Sequence, residues 1–244
     1  MFFSSKKNNS KIKNKIELVS IHIPKTAGTS FRNILKNAYG EEEVIRFDIS
    51  NHQEVTIEEK VLKSKKLSKK IKVIHGHFTY RNLTKTVALS DNVPIVTWLR
   101  DPIKRIVSNY YYLEEKIIEG LEDVKNGLGI LSKLQKTLIE YARVDVNCNR
   151  MSKFLKGIEL EELAFVGIQE YFDEDLLYLS QLLGLTNIES LKENVTNNPR
   201  RVFNEINKEV IDEIKELNIE DIELYEKGLS LRKKRVQSSS WNQL

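Results

Sequence analysis

The sequence predicts an α/β protein with a mainly parallel sheet flanked by helices and a helical C-terminal half. Three observations lead there. Short β-branched runs recur between Leu18 and Arg100, and helical patterns separate them. Parallel strands need crossovers of about that length, so this alternation is the mark of a layered α/β sheet. After residue 121 the periodicity becomes almost wholly helical. A chain of 244 residues with 40% hydrophobic content has enough material for one sizeable core. Residues 16–235 are therefore expected to form a single domain, between a lysine- and asparagine-rich flexible tail at 1–15 and a C-terminal tail at 236–244.

The elements follow in order. "ELVSIHI" (Glu17 to Ile23) alternates, with Val19, Ile21 and Ile23 on one side and Leu18, Ser20 and His22 on the other, and reads as a strand. "TSFRNILKNAYG" reads as a helix with Phe31, Ile34, Leu35 and Ala38 on one stripe and Gly40 at its stop. "EVIRFDI" is a second strand, and "TIEEKVLKSKKL" is expected to be a helix. "IKVIHGHF" (Ile71 to Phe78) and "VPIVTWLR" (Val93 to Arg100) are two further strands. Asp101 and Pro102 then start a helix, Asp as cap and Pro at the first helical position. Farther on, "LSKLQKTLIEYARV", "VNCNRMSKFLKG", "DEDLLYLSQLLG", "NKEVIDEIKELN" and "DIELYEKGLSLRKK" read as helices, and "LAFVGI" (Leu163 to Ile168) as a buried strand.

Bulk charge narrows the function. The net charge is +4, from 39 basic and 35 acidic residues, which gives no sustained surface for nucleic acid. The basic runs Lys63 to Lys72 and Arg232 to Arg235 read as solvated faces or frayed tails, with docking of an anionic acceptor as the alternative. The single cysteine, Cys148, forms no internal disulfide and suits helical packing, and four scattered histidines give no zinc spacing, so no metal site is expected. No window has the length and apolarity of an integral membrane span or a signal peptide, and a cytoplasmic location is expected.

Chemistry concentrates in two stretches. "PKTAGTS" (Pro24 to Ser30) joins a strand to a helix through a glycine turn, so the amides of Ala27, Gly28, Thr29 and Ser30 converge where the helix dipole adds positive potential. The arrangement is P-loop-like, yet Lys25 precedes Gly28, whereas the nucleotide P-loop places its lysine after the last glycine. A strand-to-helix turn with Thr26, Thr29 and Ser30 acting only as caps is the alternative. In "RDPIKRIVS", Arg100 at a strand end and Ser108 two helical turns on can meet one dianionic phosphate. Alone, either residue could be purely structural.

Together the two stretches resemble the PAPS-dependent sulfotransferases, where PAPS is 3′-phosphoadenosine 5′-phosphosulfate and PAP its product. That family holds the 5′-phosphosulfate in a PK-T-x-G-T/S loop and the 3′-phosphate with the Arg and Ser of R-D-P-x(5)-S. The resemblance implies cofactor contacts from Lys25, Thr26, Ala27, Gly28, Thr29, Ser30, Arg100 and Ser108. The likeness is greatest to the carbohydrate branch that includes heparan sulfate 2-O-sulfotransferase and bacterial relatives. It continues weakly through "NRMSKFLKG", "FVGIQEYFDEDLLYL" and "DIELYEKG", and its further cofactor loop has "NVTNNPRR" (Asn194 to Arg201) as candidate, where Arg200 and Arg201 could equally be surface charges. It also implies that "HGHF" supplies the catalytic base, His77, with His75 as orienting or acceptor-binding neighbour, and that transfer to a sugar hydroxyl proceeds without metal. Residues two apart in a strand share a face, which independently places His75 and His77 together. His22 and His52 receive no role, and the Tyr110 to Tyr112 run could stack a base or sugar or simply edge the core. The rival readings are a P-loop kinase or hydrolase, which the displaced lysine disfavours, and a non-catalytic anion- or glycan-binding module.

Overall fold

The computed structural model describes residues 11–13, 15–50, 52–63, 66–121, 136–185 and 206–238. Its main sheet has seven strands in the order β5-β4-β3-β6-β2-β8-β9. These are β2 (Leu18–Ile21), β3 (Val44–Ile49), β4 (Val55–Ile57), β5 (Lys60–Val61), β6 (Val73–Gly76), β8 (Ile95–Leu99) and β9 (Phe165–Ile168). The five from β3 to β9 in that order run parallel, and β4 and β5 add an antiparallel edge. A separate parallel pair joins β1 (Ile12–Lys13) to β7 (Val87–Ala88). Ile12 is thus buried, although it falls in the stretch expected to be a flexible tail.

The alternation in β2 sorts as its sequence implies. Val19 and Ile21 join a core on one face with Phe47, Ile74 and Val166, and Leu18 joins the other with Val73, Val96 and Trp98. Helix α1 (Gly28–Tyr39) covers this second face with Phe31, Ile34 and Leu35, and ends at Gly40 with φ of 112°. Beside it lies α6 (Phe172–Leu183). Helix α3 (Pro102–Leu121) packs through Ile103, Ile106 and Val107 on α4 (Leu138–Ala142) and α7 (Lys208–Glu216). Helices α2 (Tyr80–Thr86), α5 (Arg150–Leu155) and α8 (Ile219–Ser238) complete the set among the described residues.

Two departures from the sequence reading have clear causes. The segment "TIEEKVL" is a hairpin, not a helix. Glu58 and Glu59 both take positive φ, at 47° and 67°, which turns the chain between β4 and β5. The turn is held from outside, since Glu58 pairs with Arg32 of α1 and accepts from the Arg46 amide at 2.8 Å. Nor is the second basic run wholly a solvated face: Lys233 and Lys234 are exposed, but the arginines at its two ends are not. Arg232 and Arg235 both bond Asp175 at 2.9 Å, and Asp175, 2% exposed, also accepts from the Ile168 amide at 2.8 Å. That cluster fastens α8, which runs to Ser238, against β9 and α6.

Candidate active site

Strands β6, β2 and β8 are neighbours at the centre of the sheet, and their carboxyl ends deliver His77, the 22–28 loop and Arg100. Helical connections leave β2 toward β3 and later return to β8 on its other side, so this is where the strand order reverses. Open parallel sheets bind ligands at such a crevice.

The loop has the backbone geometry that an anion cradle needs. Lys25 and Ala27 both sit at positive φ, 71° and 67°, a cost of about 1–3 kcal/mol per residue that clusters at ligand sites. Ala27 stands at the N-cap of α1 and supplies no side-chain cap, so the first amides of α1 lack the partner that a Ser or Asp there would give. Thr26 is no ligand through its side chain: it is 1% exposed and its hydroxyl donates to the Ile23 carbonyl at 2.8 Å. The expected hydroxyl donors are left to Thr29, which is exposed, and Ser30, which is half-buried.

Two cations converge on this loop. The Arg100 guanidinium donates from Nη1 to the Lys25 carbonyl at 3.0 Å, and its Nε is buried with no hydrogen-bond partner. An orphaned buried donor of this kind costs stability unless something accepts from it, and an incoming phosphate would. Burial lowers the pKa of Arg100, while Glu170 and Asp101 oppose the shift. Glu170 also accepts from the Asp101 amide at 3.1 Å and from the Tyr225 hydroxyl at 3.1 Å, tying this corner to α8. Asp101 caps α3 as expected, accepting from the Lys104 amide at 2.8 Å. Ser108, half-buried, follows on the same helix. The Lys25 ammonium rests over the Tyr112 ring, 3.9 Å from its centroid, and burial followed by Arg100 lowers its pKa.

The histidines form a stack. The His22 ring lies 4.2 Å from that of His77 and 5.0 Å from that of His75. His77 Nδ1 is 2.8 Å from the His22 carbonyl. A carbonyl only accepts, so Nδ1 carries the proton and Nε2 keeps its lone pair, as a general base requires. Asp48 of β3 holds the His77 amide at 2.7 Å. Burial lowers the pKa of His77; the His22 carbonyl and Asp48 oppose this, and Arg46 and Arg150 add to it.

A family match agrees with this geometry. Residues 8–228 match the Sulfotransferase family. The chain belongs to that family. A solved structure similar to this sulfotransferase is mouse sulfotransferase SULT7A1 complexed with PAP, at 13% identity and a TM-score of 0.43. The match covers 75% of this chain and 63% of that one, so this sulfotransferase spans less than two thirds of the mouse protein. No curated protein matches the sequence.

Several residues of this sulfotransferase differ from their sequence reading. His75 does share a face with His77, but it is 1% exposed, bonds Ser20 Oγ at 2.9 Å, and has its pKa pushed by burial down to about 3. It is a neutral core imidazole that cannot meet an acceptor. His22, assigned nothing, is the middle of the stack. Gly28 serves that ring as much as any ligand, because a Cβ there would lie 1.9 Å from His22 Cδ2. Gly76 likewise admits the neighbouring strand, with the Phe47 carbonyl 2.0 Å from where its Cβ would stand. His52 is exposed and apart. The Tyr110 to Tyr112 run splits: Tyr112 covers Lys25 and Tyr110 packs on Tyr141. Cys148 donates to the Ala142 carbonyl at 3.2 Å, a packing role. The segment Asn194 to Arg201, the candidate further cofactor loop, lies outside the described residues. No group of metal ligands occurs among the described residues, and no described helix is long and apolar enough to cross a membrane.

Proposed function

We propose that this sulfotransferase moves a sulfuryl group from PAPS to a hydroxyl of a carbohydrate acceptor and releases PAP. The observation that carries the reading is the meeting of an uncapped helix start, two cations and a histidine with a free Nε2 at three adjacent strand ends. The Gly28, Thr29 and Ser30 amides with Lys25 suit the 5′-phosphosulfate. Arg100, with its unpartnered Nε, and Ser108 suit the 3′-phosphate.

The donor supplies an activated sulfuryl group, whose bond to the phosphate oxygen breaks with its electron pair as the acceptor oxygen attaches to sulfur. The chain's residues do the rest. His77 Nε2 takes the hydroxyl proton, and Nδ1–H on the His22 carbonyl keeps the ring in that tautomer. Lys25, its proton loosened by burial and by Arg100, neutralises charge on the departing phosphate. The loop amides hold oxygens in line with the acceptor. A reducing compartment such as the cytoplasm suits the lone thiol of Cys148.

Calorimetric titration with PAP is the test. Saturable binding that ignores magnesium and exceeds binding of ATP supports the reading. Preference for ATP with magnesium would establish the kinase or hydrolase reading in its place.

A further inference from the structure

Strand β3 holds none of the groups assigned to the donor, yet its end carries a carboxylate and a guanidinium that converge on His77. Asp48 Oδ1 accepts from the His77 amide at 2.7 Å, and the Ile49 amide donates to the His77 carbonyl at 3.0 Å, so both backbone polar groups of His77 are held by β3. Gly76 makes the first of these bonds possible. A Cβ there would lie 2.8 Å from Asp48 Oδ1, so the glycine between the two histidines admits the carboxylate as well as the strand. The other carboxylate oxygen, Oδ2, accepts from Arg46 Nε at 2.8 Å, and Arg46 Nη1 reaches on to Glu59 in the β4–β5 turn. The hairpin at the sheet edge is thereby wired to the histidine at its centre. The Asp48 side chain is 19% exposed and that of Arg46 34%, so water screens the pair only in part.

The charged and titratable groups that face the His77 ring come from four elements. β3 presents Asp48 and Arg46, α5 presents Arg150, β6 itself presents His75, and the loop after β2 presents His22, with Lys25 acting on His22 beyond it. Burial pushes His22 and His75 well down, so both are neutral neighbours. Burial, with Arg46 and Arg150, also disfavours a proton on His77, while the His22 carbonyl and Asp48 favour one. Asp48 is the anion in this set. A general base works best when its proton affinity matches the working pH, and burial among cations alone would leave this imidazole too weak a base.

We propose that Asp48 is a positioning residue for His77: its carboxylate fixes the backbone that seats Nδ1–H on the His22 carbonyl, and its charge offsets that of Arg46 at the ring. The proposal rests on the sulfuryl-transfer reading, in which His77 Nε2 takes the acceptor proton. Histidine NMR on the isotope-labelled protein without ligand tests it and needs no acceptor. The His77 signals are those missing from His77→Ala, and exposed His52 serves as the control.

At neutral pH the wild-type ring should carry its proton on Nδ1 and none on Nε2. Asp48→Asn keeps an oxygen for the His77 amide and loses the charge, so the tautomer should persist and His77 should titrate at lower pH than in the wild type. Arg46→Gln breaks the same ion pair but removes a cation, so His77 should titrate at higher pH. Between these two variants the proton affinity of the ring should differ about tenfold or more. Asp48→Ala loses anchor and charge together and should give a mixture of tautomers. Midpoints that move in the same direction in Asp48→Asn and Arg46→Gln, or do not move, overturn the proposal, since a merely structural pair would respond alike to loss of either member. So does a single Nδ1–H tautomer that survives Asp48→Ala, or a wild-type ring protonated on Nε2. If Asp48→Ala does not fold, the other two variants decide. Calorimetry with PAP on the same samples separates the two readings. Any of these failures in a protein that binds PAP overturns the role of Asp48 alone, whereas a wild type that does not bind PAP removes the sulfuryl-transfer reading and this one with it.

Discussion

Gly28→Ala is the substitution that most sharply distinguishes two jobs for one residue. Were Gly28 needed only for close approach of a ligand, alanine would cost nothing in the free protein. It could even stabilise α1, since alanine exceeds glycine by up to about 1 kcal/mol in helix propensity. The structure predicts the opposite. The added Cβ would stand 1.9 Å from His22 Cδ2 and 2.0 Å from Nε2, far inside van der Waals contact, and the imidazole it meets is stacked between His75 and His77. The ring cannot swing aside without disturbing the stack. Overpacking of this kind costs about 1–3 kcal/mol, and each kcal/mol lowers the melting temperature of a chain this size by about 2–4 °C. Thermal unfolding without ligand, measured for wild type, Gly28→Ala, His22→Ala and the double variant, is the assay. His22→Ala removes the obstructing ring, so the alanine at 28 should cost much less in that background. The coupling should reach about 0.5–3 kcal/mol, as for residues in contact. Equal destabilisation in both backgrounds would refute the steric reasoning. A Gly28→Ala protein of unchanged stability that had lost PAP would show that ligand approach alone explains the glycine.

Arg100→Met should weaken PAP by about 1.5–3 kcal/mol, the worth of a hydrogen bond to a charged group, and hardly alter binding of adenosine 5′-phosphosulfate; equal losses for both nucleotides in calorimetry would show that Arg100 does not read the 3′ end. His77→Ala should cut turnover by about a hundred- to ten-thousandfold while PAP affinity survives. The base must be neutral and its pKa in the free protein is lowered, so kcat/KM of the wild type should hold through pH 6.5 and fall only below it; an acid limb in kcat/KM centred above 6.5 would contradict the buried seat described for the ring. Asp175→Ala removes the acceptor of the buried Ile168 amide and one shared partner of Arg232 and Arg235, which keep Glu174 and the Val166 carbonyl, and should cost about 1–3 kcal/mol in chemical unfolding; a change within about 0.5 kcal/mol of zero would mean α8 is held by its apolar contacts.

The sequence was most legible where one period persisted. Strand β2 and the α1 stripe emerged because alternation or helical spacing ran through them, and β3, β6, β8 and β9 because they are short apolar or β-branched runs. The β4–β5 hairpin did not, since its turn rests on two glutamates in a left-handed conformation with no Gly or Asn to announce it. The parts of the candidate site that lie within one segment, Lys25 with its loop and Arg100 with Ser108, could be picked out because their spacing together resembles a family's motifs, whereas spacing alone left each a structural alternative. His22 could not, because its role is a matter of register: Ser20 pairs with His75, which brings His22 level with His77 on the next strand. Pairing of the S-x-H of one strand with the H-x-H of another would have given the signal, had the register been known. Asp48 and Tyr112 reach the candidate site from elements whose placement no local pattern specifies.

The order of strands in the sheet also sets a timetable for the ribosome. Ser20 meets His75 across 55 residues of chain, and Ile21 meets Thr97 across 76. Each such closure must be completed before its contacts repay the ordering of the loop between, which makes parallel pairing of this kind slow. β8, the strand that bears Arg100, has β2 on one side and β9 on the other, and β9 is in turn clasped by Arg235, 69 residues beyond the Val166 carbonyl it bonds. Lys25, Arg100 and Ser108, the groups proposed for the donor, have therefore been synthesised well before the strand and helix that brace them. A nascent chain halted after α3 carries these three on an unbraced sheet edge, a state that invites either early capture by ligand or edge-to-edge association.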